Sequence, residues 1–332
     1  MHKKMMRITL ALATVLALAA CNNKQPDTEP NTNAQNHENA SEQNVPSNEQ
    51  NNPSTDQDDQ AVADQAAKVS AEYNALLQND GKLSEAISYL QEHINEVSRE
   101  QATQMLLSLE DAQIQATPAL EERYYAEGIL QELANNDAYT RSLEDIISQL
   151  PDGKLKDLLS ETQDNGYFLY SVEGVFFPVI DYETYTQYED KINEDIAAYI
   201  KLKARDTKAP ALRDAAVAVS LEELLNRALD AESFMTDYPS SPRYKEMKDL
   251  FQQYKGAIFF GSDNSQLFDY STHIMNDEAQ KTYNAYVSKT EASQSQLLAD
   301  LKQYMDTAAK NDYKDSDTLK KMREKFLGIE PE

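Results

Sequence analysis

Residues 167–180 read YFLYSVEGVFFPVI, and within the folded part of the chain this is the stretch that breaks helical spacing. Aromatic and β-branched residues fill it, Glu173-Gly174 interrupts it, and Pro178 cannot donate to a strand ladder. The pattern predicts a β-hairpin or two short extended strands, with Pro178 on an edge. On both sides the periodicity is helical. Ala102, Met105, Leu106 and Leu109 follow i, i+3, i+4, i+7, as do Leu221, Leu224, Leu225 and Ala228. Leu297, Leu298, Leu301, Tyr304 and Met305 mark a third apolar face. Ser98-x-x-Gln101 and Ser220-x-x-Glu223 read as capping boxes, Thr117-Pro118 as an N-cap with proline at the first helical position, and Asn276 as a further N-cap. Eight glycines in 332 residues leave little room for the turns of a many-stranded sheet. The expected fold is mainly α: an α-hairpin, helical-bundle or short α-solenoid body with one β-hairpin or pair of short strands near 167–180.

Working outward, Asn165-Gly166 sets an expected boundary between an N-terminal helical region, 61–165, and a C-terminal helical region with the hairpin, 166–332. Asp80-Gly81-Lys82-Leu83 and Asp152-Gly153-Lys154-Leu155 both precede helical runs and read as a shared turn solution. Residues 22–60 are packed with Asn, Gln, Asp, Glu, Ser, Thr and Pro, with Val45 the sole aliphatic larger than Ala. Such a segment buries too little surface to offset backbone ordering, so 21–60 is expected to be a disordered acidic tether. As a coil it would span on the order of 35–45 Å.

The N-terminus carries His2, Lys3, Lys4 and Arg7, then an apolar stretch from Ile8 to Ala20, then Cys21, the chain's single cysteine. A positive head, an apolar stretch too short to span a bilayer and small residues at the cut make an export signal. With cysteine directly after Leu18-Ala19-Ala20, it resembles the bacterial lipobox. The resemblance implies removal of residues 1–20 and diacylglyceryl modification of Cys21, which would anchor the protein by lipid at the extracytoplasmic face of a bacterial membrane. Two acyl chains hold stably where one does not. No thiol then remains for disulfide or cysteine chemistry.

Two shorter resemblances concern the body. Ala228 to Pro242 (ALDAESFMTDYPSSP) is similar, at Ala231, Phe234, Tyr238, Pro239, Ser241 and Pro242, to the helix junction of tetratricopeptide-type repeats. It implies an α-hairpin, and no repeat period runs through the chain. The stretch GVFFPVIDYETY resembles uncharacterised lipoproteins of Gram-positive bacteria. The long tether suggests a Gram-positive wall environment.

The net charge of −26, from 57 acids against 31 bases, argues against nucleic acid and against anionic membrane surfaces as partners. No metal site is implied. An EF-hand loop aligned on Asp80-Gly81 puts Leu76 and Ile87 where the first ligand and the closing Glu belong, and Asp152-Gly153 fails likewise. Asp312, Asp315 and Asp317 read as the solvated start of a last helix. His93 and His273 stand without paired spacing, and no nucleophile elbow or phosphate-cradling glycine loop occurs. Nothing implies a cofactor or a catalytic residue.

The remaining concentration is aromatic. Residues 167–188 hold eight aromatics in 22 positions, roughly four times the chain average of 8%. Tyr167, Tyr170, Tyr182, Tyr185 and Tyr188 are the candidate binding surface, since tyrosine offers an apolar face and a polar edge to a glycan or peptide. The competing reading packs the segment's phenylalanines onto the helices and leaves the hydroxyls in water. A weaker group, Tyr254, Phe259, Phe260, Phe268 and Tyr270, surrounds Gly256 and Gly261, and Gly261-Ser262-Asp263-Asn264-Ser265 reads as a loop. The expected function is a lipid-anchored binding or scaffold module of the cell envelope, its partner an envelope protein, peptide or glycan. A solute-binding lipoprotein of a transport system is the alternative, and an envelope hydrolase comes third.

Overall fold

In the computed structural model, which describes residues 53–78, 82–136, 138, 141–288 and 295–329, the hairpin forms where the pattern breaks. β1 (Tyr167–Val172) runs antiparallel to β2 (Val175–Ile180), with Tyr167 opposite Ile180 and Val172 opposite Val175. Glu173 and Gly174 close it, both at positive φ (50° and 85°), which matches the twist of the flanking strands. Phe176, Pro178 and Ile180 are buried while Val175, Phe177 and Val179 are half-buried, so one face packs on the helices. A two-stranded sheet consists of edges, which accommodates Pro178.

Everything else of size is helical. Before the hairpin come α1 (Pro53–Leu77), α2 (Leu83–His93), a 3-10 turn (Ile94–Glu96), α3 (Arg99–Tyr124), α4 (Ile129–Asn135), α5 (Leu143–Gln149) and α6 (Lys154–Asp164). After it come a 3-10 helix (Tyr182–Lys191) and α7 (Glu194–Lys208), then a small hairpin of β3 (Leu212–Arg213) and β4 (Ala216–Val217). The antiparallel pair α8 (Leu221–Asp237) and α9 (Tyr244–Phe260) follows, then β5 (Gly261–Ser262) with β6 (Ser265–Gln266), α10 (Asp277–Val287), α11 (Gln296–Ala309) and α12 (Asp317–Leu327). The protein is a mainly-α fold.

Helix starts follow their local chemistry. Ser98 accepts from Gln101 N while the Gln101 side chain takes Ser98 N, a complete capping box. Ser220, Asn276, Ser295 and Ser316 each accept a backbone N–H three residues on. Thr117-Pro118 departs from expectation. Pro118 lies inside α3, and Thr117 Oγ1 donates back to Gln113 O at 2.8 Å. Burial of Leu120 and Tyr124 beyond it offsets the lost helical bond, which in isolation costs about 3 kcal/mol.

Two other boundaries also move. α1 begins at Pro53, so the helical body starts eight residues before the expected start at 61. Proline at a first helical position suits a helix N-terminus, which a composition-based reading overlooks. The boundary at 165/166 runs through one apolar core, in which Tyr167, Phe176 and Tyr182 pack with Leu106, Leu109, Leu159 and Ile200. A second core draws on α8 to α12, through Leu225, Ala231, Phe259, Tyr283, Leu301 and Leu319. The cores change over between Ala204 and Ala211, yet Phe234 of α8 and Met247 of α9 join the first. Residues 53–332 accordingly form one compact unit. At the α8–α9 junction, Tyr238 packs on Phe234 with ring centroids 5.3 Å apart.

The two glycines of α9 and its exit should respond oppositely to a methyl group. A Cβ at Gly256 meets nothing within 4 Å, so Gly256→Ala is expected to stabilise by about 0.5–1 kcal/mol. At Gly261, φ is +73° and a Cβ would sit 2.5 Å from Ser265 O and 2.7 Å from Leu267 N. Gly261→Ala is expected to destabilise by more than about 1 kcal/mol. Urea denaturation of the two variants checks both signs.

Candidate functional site

The tyrosines singled out as a surface are interior. Tyr167 is buried at 2% exposure, Tyr182 and Tyr185 at 4% and Tyr188 at 5%, and Tyr170 is half-buried with its hydroxyl enclosed. The 3-10 helix turns once in three residues, so Tyr182, Tyr185 and Tyr188 eclipse one another, and their shared face lies against α3 and α7. What receives the hydroxyls of Tyr167, Tyr182 and Tyr185 is a buried polar ridge on α3. Tyr182 and Tyr199 both donate to Glu110 Oε1, the first at 2.5 Å. Arg243, from the α8–α9 junction, donates through Nε to Glu110 Oε2 at 2.9 Å and through Nη2 to Asp111 at 2.7 Å. One turn along α3, the Gln113 carbonyl takes the Tyr167 hydroxyl at 2.6 Å, its Oε1 takes that of Tyr185, and its Nε2 donates to Asn165 O at 2.7 Å. Burial, reinforced by the Glu110 carboxylate, holds the hydroxyls of Tyr182, Tyr185 and Tyr199 well above the ordinary tyrosine range. The expected stacking platform is therefore a packing device. Tyr170 sits at its margin, with the Arg213 guanidinium 5.3 Å over its ring.

The weaker aromatic group divides. Tyr254 and Phe259 are core, whereas Phe260 and Tyr270 stand 42% and 74% exposed. They border a cleft of about 380 Å³ where α9 runs out into β5 and β6. The phrase 261–265 forms the tight β5–β6 hairpin, with Gly261 opposite Gln266 and Ser262 opposite Ser265. Arg323 of α12 lines the floor, buried at 6% exposure between the rings of Phe260 and Phe268, its guanidinium carbon 5.3 and 5.2 Å from their centroids. Its Nη1 donates to the Tyr304 hydroxyl at 2.8 Å and its Nη2 to Asp315 at 3.0 Å. The Arg323 Nε and the Ser262 Oγ are buried without a partner. Asp263, Asp269 and His273 complete the lining. Asp269 Oδ1 accepts from Ser271 and Thr272, through backbone N–H and hydroxyl of each, and these bonds hold its carboxyl well below the usual range. Asp315 therefore serves Arg323 rather than only opening α12.

Asp315 was read only as part of a solvated helix start, and Arg323 escaped the sequence reading because it follows Lys320 and Lys321 like one more solvated base. The available signal was spacing: Arg323 lies four residues after buried Leu319 and three before Phe326, on the apolar face of α12. Glu110 was legible in the same way, four residues after Leu106 on the apolar stripe of α3. Of the histidines, His93 is tied to Glu96 at 2.7 Å and stacks on Tyr89, while His273 faces the cleft. Among the described residues no group of three or more His, Cys, Asp or Glu is arranged to hold a metal ion. Cys21 and the Asp80-Gly81 turn lie outside the described residues. In comparisons with protein-family models, curated proteins and solved structures, the chain matches none.

The buried phenols set an alkaline limit. Burial pushes Tyr124, Tyr167 and Tyr304 up to about 12, whereas an unfolded chain ionises them near ~10. Because the folded values are raised, this stabilisation is whole below pH ~10 and is lost as pH climbs toward ~12. An alkaline titration is expected to show tyrosinate absorbance rising together with loss of helical circular dichroism. Ionisation of every tyrosine near pH ~10 with the helices intact would contradict the burial.

Proposed function

We propose that this chain is a lipid-anchored binding module of the bacterial cell envelope, held at the extracytoplasmic face through Cys21. The observation that carries the binding half is the cleft at the end of α9. Of the seven exposed large hydrophobics among the described residues, Phe260 and Tyr270 border this one depression, and Ile329 borders the groove beside it. Two aromatic rings kept in water at the rim of one cleft are the kind of exposed apolar surface that recognition sites present. The anchoring half rests on Leu18-Ala19-Ala20-Cys21 and on the basic and apolar segments before it. A solute-binding role has less support, because Tyr167, Tyr182, Tyr185 and Tyr188 pack in the first core and line no pocket among those described. A glycosidase-type hydrolase needs two free carboxyls flanking its substrate, and in the cleft Asp269 Oδ1 takes four donors and Asp315 is paired with Arg323, which leaves Asp263 alone.

Two experiments test the two halves. Cys21→Ser is expected to move the full chain from the membrane fraction to the soluble fraction; retention in the membrane would end the lipid-anchor reading. Thermal-shift titration of the full chain with soluble wall glycans, peptides and small solutes is expected to raise the melting temperature with at least one class. No shift with any of them would end the binding reading.

A further inference from the structure

We propose that the α9-end cleft is a saccharide site, in which the exposed ring of Tyr270 stacks on the apolar face of a neutral sugar while Asp263 accepts the sugar's hydroxyls. This inference rests on the reading of the chain as a binding module and names the ligand class of that module's cleft.

Charge narrows the ligand first. The lining holds three carboxylates, Asp263, Asp269 and Asp315, against the single guanidinium of Arg323. An anionic ligand meets that excess of acid in a chain already at −26. A cationic ligand fares little better, because Arg323 already fills the space between Phe260 and Phe268 and takes Asp315 as its partner. A neutral ligand that both donates and accepts meets neither penalty. Asp263 is exposed and supplies acceptors, while the Arg323 Nε and the Ser262 Oγ are polar capacity that the protein itself leaves unused.

Shape narrows it further. Tyr270 is the most exposed of the described large hydrophobics, at 74%, and the backbone that carries it is pinned. His273 N donates to Asp269 O at 2.8 Å, and Asp315 N donates to His273 O at 2.8 Å, so the turn is tied to the entry of α12. An aromatic presented on a fixed turn loses little entropy when a flat ligand settles on it. The cleft volume, about 380 Å³, sits at the lower end of the ~300–1,000 Å³ typical of small-molecule sites. Phe260 and Gly261 also line the neighbouring groove of about 790 Å³ with Lys248, Gln252 and Leu327. Two open grooves sharing one wall suit successive units of a chain-like ligand, which a glycan supplies.

The chain has no tryptophan, so Tyr270→Trp installs a single indole in the cleft. Titration of that variant with a soluble N-acetylglucosamine oligomer is expected to give a saturable emission shift. Calorimetry on the unmodified full chain should show binding that weakens about tenfold or more in Tyr270→Ala and in Asp263→Asn. Both positions are exposed, and both variants should melt with the parent protein. Absence of a saturable shift, or affinity unchanged in both variants, overturns the saccharide site. A basic peptide that titrates the indole where the oligomer does not also overturns it, and leaves the binding-module reading standing.

Discussion

A carboxylate taken out of water has to be met by donors, and the side chain of Glu110 is met from three directions. Tyr182 comes from the 3-10 helix, Tyr199 from α7 and Arg243 from the junction that starts α9. An uncompensated buried charge costs several kcal/mol, so any arrangement that withdraws one of these elements leaves the others with an unfavourable site. The constraint fixes where the tyrosine segment lies on α3, and through Arg243 it ties the first core to the second. A parallel tie runs through Arg227, buried at 3% exposure, which reaches Asp206 and the Ala209 carbonyl, while Tyr254 donates to the same Asp206. Together the two networks explain why Phe234 and Met247, on second-core helices, pack in the first core.

This arrangement separates two properties of tyrosine that a sequence shows as one. Tyr182, Tyr185 and Tyr188, three residues apart, share one face of the 3-10 helix. Whether that face meets water depended on Glu110 and Gln113, which lie 72 residues away from Tyr182 and Tyr185 in the chain. The clue was the position of those two polar residues on the apolar stripe of α3, continuing Leu106 and Leu109. A Glu on such a stripe reads as surface unless its partners are known, and here the partners were the residues taken for a ligand platform.

Local chemistry was the most legible layer. The hairpin at 167–180 breaks period and carries its own turn pair; the serine and asparagine caps act within three residues; the α8–α9 junction is set by Phe234, Tyr238 and the prolines after it. Features governed by distant packing were not legible. Pro118 stays inside α3 because of what Leu120 and Tyr124 bury, and the core changeover near 204–211 has no marker in composition. The cleft was half visible, since Phe260, Phe268 and Tyr270 gather near Gly261 in sequence. Its floor was hidden, because Arg323 arrives from the last helix.

The tyrosine segment is a structural key whose lock is Glu110, and the recognition proposed for the chain falls to the opposite kind of aromatic, the exposed Tyr270. The most direct measurement is a double-mutant cycle on Glu110 and Arg243, using Glu110→Gln and Arg243→Met with stability followed by equilibrium denaturation. Their interaction should appear as a coupling energy of about 0.5–3 kcal/mol, the range for residues sharing one network. Strictly additive losses would mean that the two residues do not meet in the folded chain, and would contradict the account.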